Sequence, residues 1–108
     1  MDRGADMNKK NKYGETPLFK ACRYGNESIV NYLLERGAHV NKEKSNGETP
    51  LFYACNSGSE ATVKHLLEHG ADINKKNNDG ETSIFDACRN KRNEAVIKCL
   101  VEHGANIN

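Results

Sequence analysis

The stretch Gly14-Glu15-Thr16-Pro17-Leu18-Phe19 returns as Gly47-Glu48-Thr49-Pro50-Leu51-Phe52 and again as Gly80-Glu81-Thr82-Ser83-Ile84-Phe85, a step of 33 residues each time. A second marker, Arg3-Gly4-Ala5-Asp6-Met7-Asn8, recurs as Arg36-Gly37-Ala38-His39-Val40-Asn41, His69-Gly70-Ala71-Asp72-Ile73-Asn74 and His103-Gly104-Ala105-Asn106-Ile107-Asn108, so both ends of the unit are legible. A fixed period of this length constrains the fold more than any local propensity does. It means stacked supersecondary units whose apolar faces are covered only by their neighbours. The units fall at 11–43, 44–76 and 77–108, with the tail of a preceding unit at 1–10.

Each unit reads as two helices and a return. Thr16-Pro17 and Thr49-Pro50 are helix starts: the threonine oxygen is placed to cap orphan backbone donors, and proline at the first helical position loses no hydrogen bond. The first helix, A, runs to about Tyr24 or Asn56. Gly25 and Gly58 suit a left-handed closing residue, and Asn26, Ser59 and Asn93 are the expected caps of a second helix, B, with Glu27, Glu60 and Glu94 in its first turn. Helix B ends at Gly37, Gly70 and Gly104. Its stripes, Ile29, Val30, Leu33 and Leu34, then Val63, Leu66 and Leu67, then Val96, Ile97, Leu100 and Val101, are expected to face the neighbouring unit. The returns have tips at Lys12-Tyr13-Gly14, Ser45-Asn46-Gly47 and Asn78-Asp79-Gly80, a short hairpin signal.

Gly-x-Thr-Pro-Leu, the following Ala21, the Gly25 turn, Ile29-Val30-x-x-Leu33-Leu34 and Gly-Ala-x-Val-Asn together resemble the ankyrin repeat across nearly the whole chain. That resemblance implies an all-α repeat solenoid of helix-turn-helix units joined by β-hairpin loops. Three departures carry expectations of their own. Phe19, Phe52 and Phe85 stand where the family usually has histidine, which puts an aromatic stack in place of a side-chain hydrogen bond between repeats. The third unit has Ser83 instead of proline. It is also one residue longer between Ala87 and Gly104, so a distorted, more mobile turn is expected at Lys91-Arg92. With no polar capping helix evident at either end, the sequence is expected to be a segment of a longer array.

Sixteen basic and fifteen acidic side chains nearly cancel over 108 residues. No unit has the one-sided charge of a sequence-independent nucleic-acid or membrane-surface binder, so neither partner is expected. No apolar run approaches the roughly 18 residues of a membrane span. Cys22, Cys55 and Cys88 share one repeat position, where stacking separates successive sulfurs by roughly 8–10 Å, beyond the reach of a disulfide at about 7 Å between Cα atoms. They are expected to be buried thiols in a reducing compartment, cytoplasmic or nuclear; Cys99 stands apart.

His65-Leu66-Leu67-Glu68-His69 matches the inverted zinc-protease pattern. The repeat register counters it: His65 and His69 occupy the places of Tyr32 and Arg36 in one copy and of Cys99 and His103 in another. The motif reads as a slice of ordinary helix B, without the third ligand and cleft that catalytic zinc needs. A milder alternative is adventitious chelation by His65, His69, Cys99 and His103. No enzyme, no cofactor and no resident metal is expected. Asn26-Glu27-Ser28 fits a glycosylation acceptor and reads better as a helix cap. By resemblance, Asn41 and Asn74 stand where an oxygen-dependent asparaginyl hydroxylase modifies some ankyrin arrays; a structural asparagine is the competing reading.

By the same resemblance the chain is a scaffold that binds another protein through its hairpin tips and the concave helix A face. Those positions are Lys12, Tyr13, Glu15, Lys20, Arg23 and Tyr24, then Ser45, Asn46, Glu48, Tyr53, Asn56 and Ser57, then Asn78, Asp79, Glu81, Asp86, Arg89 and Asn90. Apart from the recurring Glu15, Glu48 and Glu81 they vary between copies while the framework repeats, and tyrosine and arginine are frequent interface anchors. A spacer inside a longer array, with no partner of its own, is the alternative. The chain is expected to be monomeric unless exposed array ends associate.

Overall fold

The computed structural model describes residues 7–89 and 93–105. Its elements are α1 (Pro17–Arg23), α2 (Glu27–Glu35), α3 (Pro50–Ser57), α4 (Glu60–Glu68), α5 (Ser83–Cys88) and α6 (Glu94–Glu102). Each repeat supplies one pair. The first helices α1, α3 and α5 pack in one row and the second helices α2, α4 and α6 in another, with every pair touching the next. The body measures 44 × 27 × 21 Å, elongated along the stacking direction as a layered array requires.

The helix starts differ from expectation. Pro17 and Pro50 do stand in the first turn, but neither Thr16, Thr49 nor Thr82 caps with its side chain. The donors that a hydroxyl cap serves are already taken: Phe19 N–H donates to the Thr16 backbone carbonyl and Phe52 N–H to that of Thr49, each at 3.0 Å. In the second helices Asn26 accepts from Ile29 N–H at 3.2 Å and Ser59 from Thr62 N–H at 3.3 Å, as their sequence positions imply. Asn93 does not cap. Its side chain is buried, and its amide donates to the Cys55 carbonyl at 2.8 Å and the Ala87 carbonyl at 3.4 Å, stitching the third repeat to the second. The turn expected to be distorted at Lys91-Arg92 lies outside the described residues.

No strand forms among the described residues, so the expected hairpin loops are turns without a ladder. Each tip closes on itself: Asn11 N–H donates to the Glu15 carbonyl at 2.9 Å and Gly14 N–H to that of Asn11 at 3.0 Å, and both bonds recur at Lys44–Glu48 and Asn77–Glu81. Successive tips are then joined by one backbone bond, Ser45 N–H to Tyr13 at 3.0 Å and Asn78 N–H to Asn46 at 2.9 Å. A second set of cross-repeat bonds comes from the recurring asparagine. Asn8 accepts from His39 N–H at 2.8 Å, and Asn41 accepts from Asp72 N–H at 2.8 Å while donating to the Gly70 carbonyl at 3.0 Å. Asn41 is thereby a clamp between the second halves of adjacent repeats.

One apolar seam runs between the rows, through Leu18, Leu51 and Ile84 on the first helices and Val30, Val63, Leu66, Val96 and Leu100 on the second. The expected aromatic stack does not form. Phe19 and Phe52 are buried, Phe85 is exposed, and the ring contact present is Phe19 with Tyr53, edge to face at 5.3 Å. The cysteines also divide differently. Cys22, Cys55 and Cys99 are buried and Cys88 is exposed; all are free thiols, and burial pushes Cys22 and Cys55 up to about 12. Phe85 and Cys88 share a cause: no described element packs over this side of α5. Ile29 and Val101, expected in the buried stripe, are exposed at the two ends of the stack.

Gly58 shows how closely the repeats approach. Its φ is +76°, and a Cβ there would lie 2.7 Å from Asn93 Oδ1. Gly58→Ala is expected to lose about 1–3 kcal/mol through left-handed strain and displacement of the Asn93 amide, read by urea unfolding. Leu66 is fully buried whereas Leu33, its counterpart at the start of the stack, is half-buried. Leu66→Ala is therefore expected to cost about 2–5 kcal/mol and Leu33→Ala distinctly less; equal losses in the same unfolding assay would contradict the end-face assignment.

Candidate functional site

The tips and the outer surface of α1, α3 and α5 form one continuous face. Its framework side chains are consumed internally. Asn11 Oδ1 accepts from Tyr13 N–H at 2.9 Å and Glu15 N–H at 3.0 Å, and Asn77 Oδ1 accepts from Asp79 and Glu81 N–H at 2.9 Å each, so asparagine at the turn entry holds each tip in shape. Asn46 does the same in the second tip, accepting from Glu48 N–H at 3.0 Å. The sequence contained this signal in the repeated asparagine of positions 11 and 77, which sequence reasoning passed over.

Glu15, expected on the open surface, is only 7% exposed. Its carboxylate accepts from Tyr53 Oη at 2.6 Å, Arg23 at 2.9 Å and Asn11 Nδ2 at 3.1 Å. The Tyr53 hydroxyl is the main influence holding this carboxyl below its usual range, against the opposing effect of burial; Asn11, Arg23 and Lys44 add to the lowering. Arg23 also lies 5.1 Å over the Tyr53 ring and Lys44 5.5 Å, so Tyr53 is clasped between two cations and one anion. Lys44 belongs to this cluster and was not among the residues expected. Arg23, Tyr53, Asn56 and Ser57 together line a 290 Å³ groove between α1 and α3.

The corresponding junction between the second and third repeats has no such phenol–carboxylate closure. Asp86 takes the place of Tyr53 and faces Glu48, the counterpart of Glu15. Burial first, then Glu48, raise the Asp86 carboxyl above its ordinary range, with Glu81 adding and Arg89 opposing. Arg89 bridges Glu81 and, at 3.2 Å, Asp86. Of the remaining expected contacts, Lys12, Tyr13, Lys20, Tyr24, Ser45, Asn46, Asn56, Ser57, Asn78 and Asp79 are exposed, and Ser57 donates to the Ala54 carbonyl at 2.9 Å. Asn90 lies outside the described residues. The face therefore runs from cationic at Lys12, Lys20 and Arg23, through a mixed middle holding Lys44 and Glu48, to acidic at Asp79, Glu81 and Asp86, where Arg89 offsets part of the charge.

On the opposite surface the imidazoles point away from a shared centre. His65 Nε2 lies 3.3 Å from Glu27, His69 Nδ1 lies 2.9 Å from the His65 carbonyl, and His103 Nδ1 lies 2.7 Å from the Cys99 carbonyl. A carbonyl only accepts, so Nδ1 carries the proton in both of the latter rings. Among the described residues no three metal-ligating side chains converge. The four residues considered for chelation are thus not gathered. No described helix is long and apolar enough to cross a membrane.

A family model described as ankyrin repeats in three copies matches residues 1–77 and 42–108, which together span the chain. The chain belongs to the ankyrin-repeat family. No curated protein matches it. Ankyrin repeats are as a rule non-catalytic modules that bind other proteins, and in this ankyrin-repeat chain much of the surface described above differs from copy to copy.

Because Glu15 is ionised below its usual range in the folded state, it stabilises the fold above its unfolded value, near 4.5, and that contribution is lost as pH falls through the lowered folded value. Tyr53→Phe is expected to lose about 1–3 kcal/mol at neutral pH, with a smaller difference from wild type in acid below Glu15 ionisation. Thermal unfolding across a pH series checks both.

Proposed function

We propose that this chain is a protein-binding scaffold that grips its partner across the tips and the first-helix face. The observation that carries the reading is the division of labour between copies. Positions that hold the repeats together recur, while Tyr13, Lys20, Tyr24, Asn56, Ser57, Asn78 and Asp79 differ from copy to copy and stand exposed on a framework whose turns are held by their own backbone hydrogen bonds. Such a face is preorganised, so a partner loses little by ordering it.

The lengthwise change of charge narrows the partner. A segment acidic where it meets Lys12, Lys20 and Arg23 and basic where it meets Glu48 and Asp86 complements the face in a single direction. A lysine or arginine at the acidic end also relieves the Glu48–Asp86 repulsion, whereas the reversed segment meets like charge at both ends. Tyr13 and Tyr24 supply the exposed aromatic area. The setting that accords with three buried free thiols is a reducing compartment, cytoplasmic or nuclear.

The test begins with a peptide-display selection against the folded chain. Selected peptides are expected to carry the acidic-to-basic polarity, and Tyr13→Ala/Arg23→Ala/Tyr24→Ala is expected to weaken them about 100-fold while circular dichroism stays unchanged. Selections that return no polarity, or binders indifferent to the triple variant, move the assignment to the second reading, a spacer between other repeats.

A further inference from the structure

Two arginines of this chain stand at the same place in their repeats and make the same first bond. Arg23 Nη2 donates to Glu15 at 2.9 Å and Arg89 Nη2 donates to Glu81, each glutamate lying eight residues earlier, at the tip. Beyond that bond they differ. Arg89 Nη1 donates to a second carboxylate, Asp86 Oδ1, at 3.2 Å. The residue aligned with Asp86 in the first repeat is Lys20, which carries no acid, and Arg23 makes its further bond from Nη2 again, to Tyr53 Oη at 3.4 Å. Nη1 and Nε of Arg23 therefore hold no acceptor among the described residues, on a side chain that is 47% exposed.

These open donors border the 290 Å³ groove that Arg23 shares with Tyr53, Asn56 and Ser57 between α1 and α3. What surrounds them selects the occupant. The Tyr53 hydroxyl donates its proton to Glu15 at 2.6 Å, and the Ser57 hydroxyl donates its proton to the Ala54 carbonyl at 2.9 Å. The donors left for a ligand are the Arg23 hydrogens and the exposed Asn56 amide, so the groove suits an acceptor. Lys44 also lies over the Tyr53 ring, 5.5 Å from its centroid. With Arg23 it sets two positive charges against one negative charge on Glu15, an excess that matches a single carboxylate and falls short of a phosphate dianion.

We propose that the Arg23 edge of this groove is a seat for one carboxylate of a bound partner, which takes on Arg23 Nη1 the place that Asp86 takes on Arg89. The seat rests on the scaffold reading, whose acidic partner end it narrows to one side chain or chain terminus. The middle repeat has no equivalent, because Asn56 stands where Arg23 and Arg89 do. The third has one that is already filled from its own helix. Only at the first junction is the second carboxylate left for another molecule to supply, and Glu15 and Tyr53 hold the guanidinium in place before that molecule arrives.

NMR titration of the isotope-labelled full chain with N-acetylated tripeptides, at constant ionic strength, tests the seat. Acetyl-Gly-Asp-Gly-amide offers a side-chain carboxylate, acetyl-Gly-Gly-Gly a terminal one and acetyl-Gly-Asn-Gly-amide neither; phenyl phosphate is the dianionic comparison. A saturable shift of the Arg23 Nε–H and Asn56 Nδ2 signals is expected with the carboxylate peptides and not with the asparagine peptide, and the tighter of the two names the source. Lys20→Asp copies the third repeat: its carboxylate is expected to reach Arg23 Nη1, to move the Arg23 Nε signal without ligand and to weaken the probe about tenfold. Lys20→Asn removes the same positive charge without supplying an acid, and is expected to weaken the probe less than about threefold. Both changes fall at an exposed position, and the backbone amide spectrum confirms the fold. Equal shifts with the asparagine peptide, tighter binding of phenyl phosphate, or a Lys20→Asp chain that binds as well as Lys20→Asn would overturn the seat. No display-selected peptide enters this titration, so the seat can fail while the scaffold reading holds. Selected binders would then lose affinity in the triple variant yet be indifferent to exchange of their own acids for amides.

Discussion

Burial of each repeat by the next is the interaction on which this molecule depends. A pair of helices of six to nine residues is too short to persist alone in water, where nucleation disfavours helices below about 12–15 residues. What holds α1 through α6 in place is the seam through Leu18, Leu51, Val30, Val63, Leu66, Val96 and Leu100, each fully buried, with successive repeats contributing its two sides. Loss of one layer uncovers the next, so the array is a chain of nearest-neighbour couplings.

The polar contacts refine that seam. Asn8 and Asn41 cross from one repeat to the backbone of the next, Asn93 reaches the Cys55 carbonyl, and successive tips share a backbone bond. All of them satisfy main-chain groups that would otherwise be stranded between closely approaching turns. Gly58 belongs to the same economy of space, since its missing Cβ is the room that Asn93 fills. The outward face can vary because this inner network leaves most of it little structural to do, with Glu15, Arg23, Asn46, Tyr53 and Arg89 among the exceptions.

The period and the repeated motifs revealed the stacked architecture and the place of each helix, because burial by a neighbour writes the same residue types at the same spacing in every copy. It was less informative wherever copies share a residue but not an environment. Cys88 and Phe85 repeat Cys22 and Phe19 in type yet stand exposed, since no described helix packs on them as α3 packs on α1. Asn93 aligns with caps Asn26 and Ser59, and its side chain instead turns inward, in the repeat whose register is one residue longer. Thr16 and Thr49 have the type of a capping residue, but their own carbonyls reach the available donor first. Within the candidate site, exposure of Lys20, Tyr24 and Asn56 followed from register. The burial of Glu15 did not, because it depends on Tyr53, a residue one repeat away that only this junction possesses.

That difference between junctions sets the mechanical character of the array. The first junction closes with a phenol on a carboxylate, flanked by Arg23 and Lys44; the second places Asp86 against Glu48 and relies on Arg89 to offset it. Unequal polar closures, with more extensive helix contact at the first junction, give a stack tighter at its start than at its end. The shorter α5, which begins without proline, works in the same direction. A surface whose acidic end is also its less firmly closed end has free energy to gain there from an incoming cation. On this argument recognition and repeat coupling meet at Asp86, where a partner's positive charge would tighten the second junction as it binds.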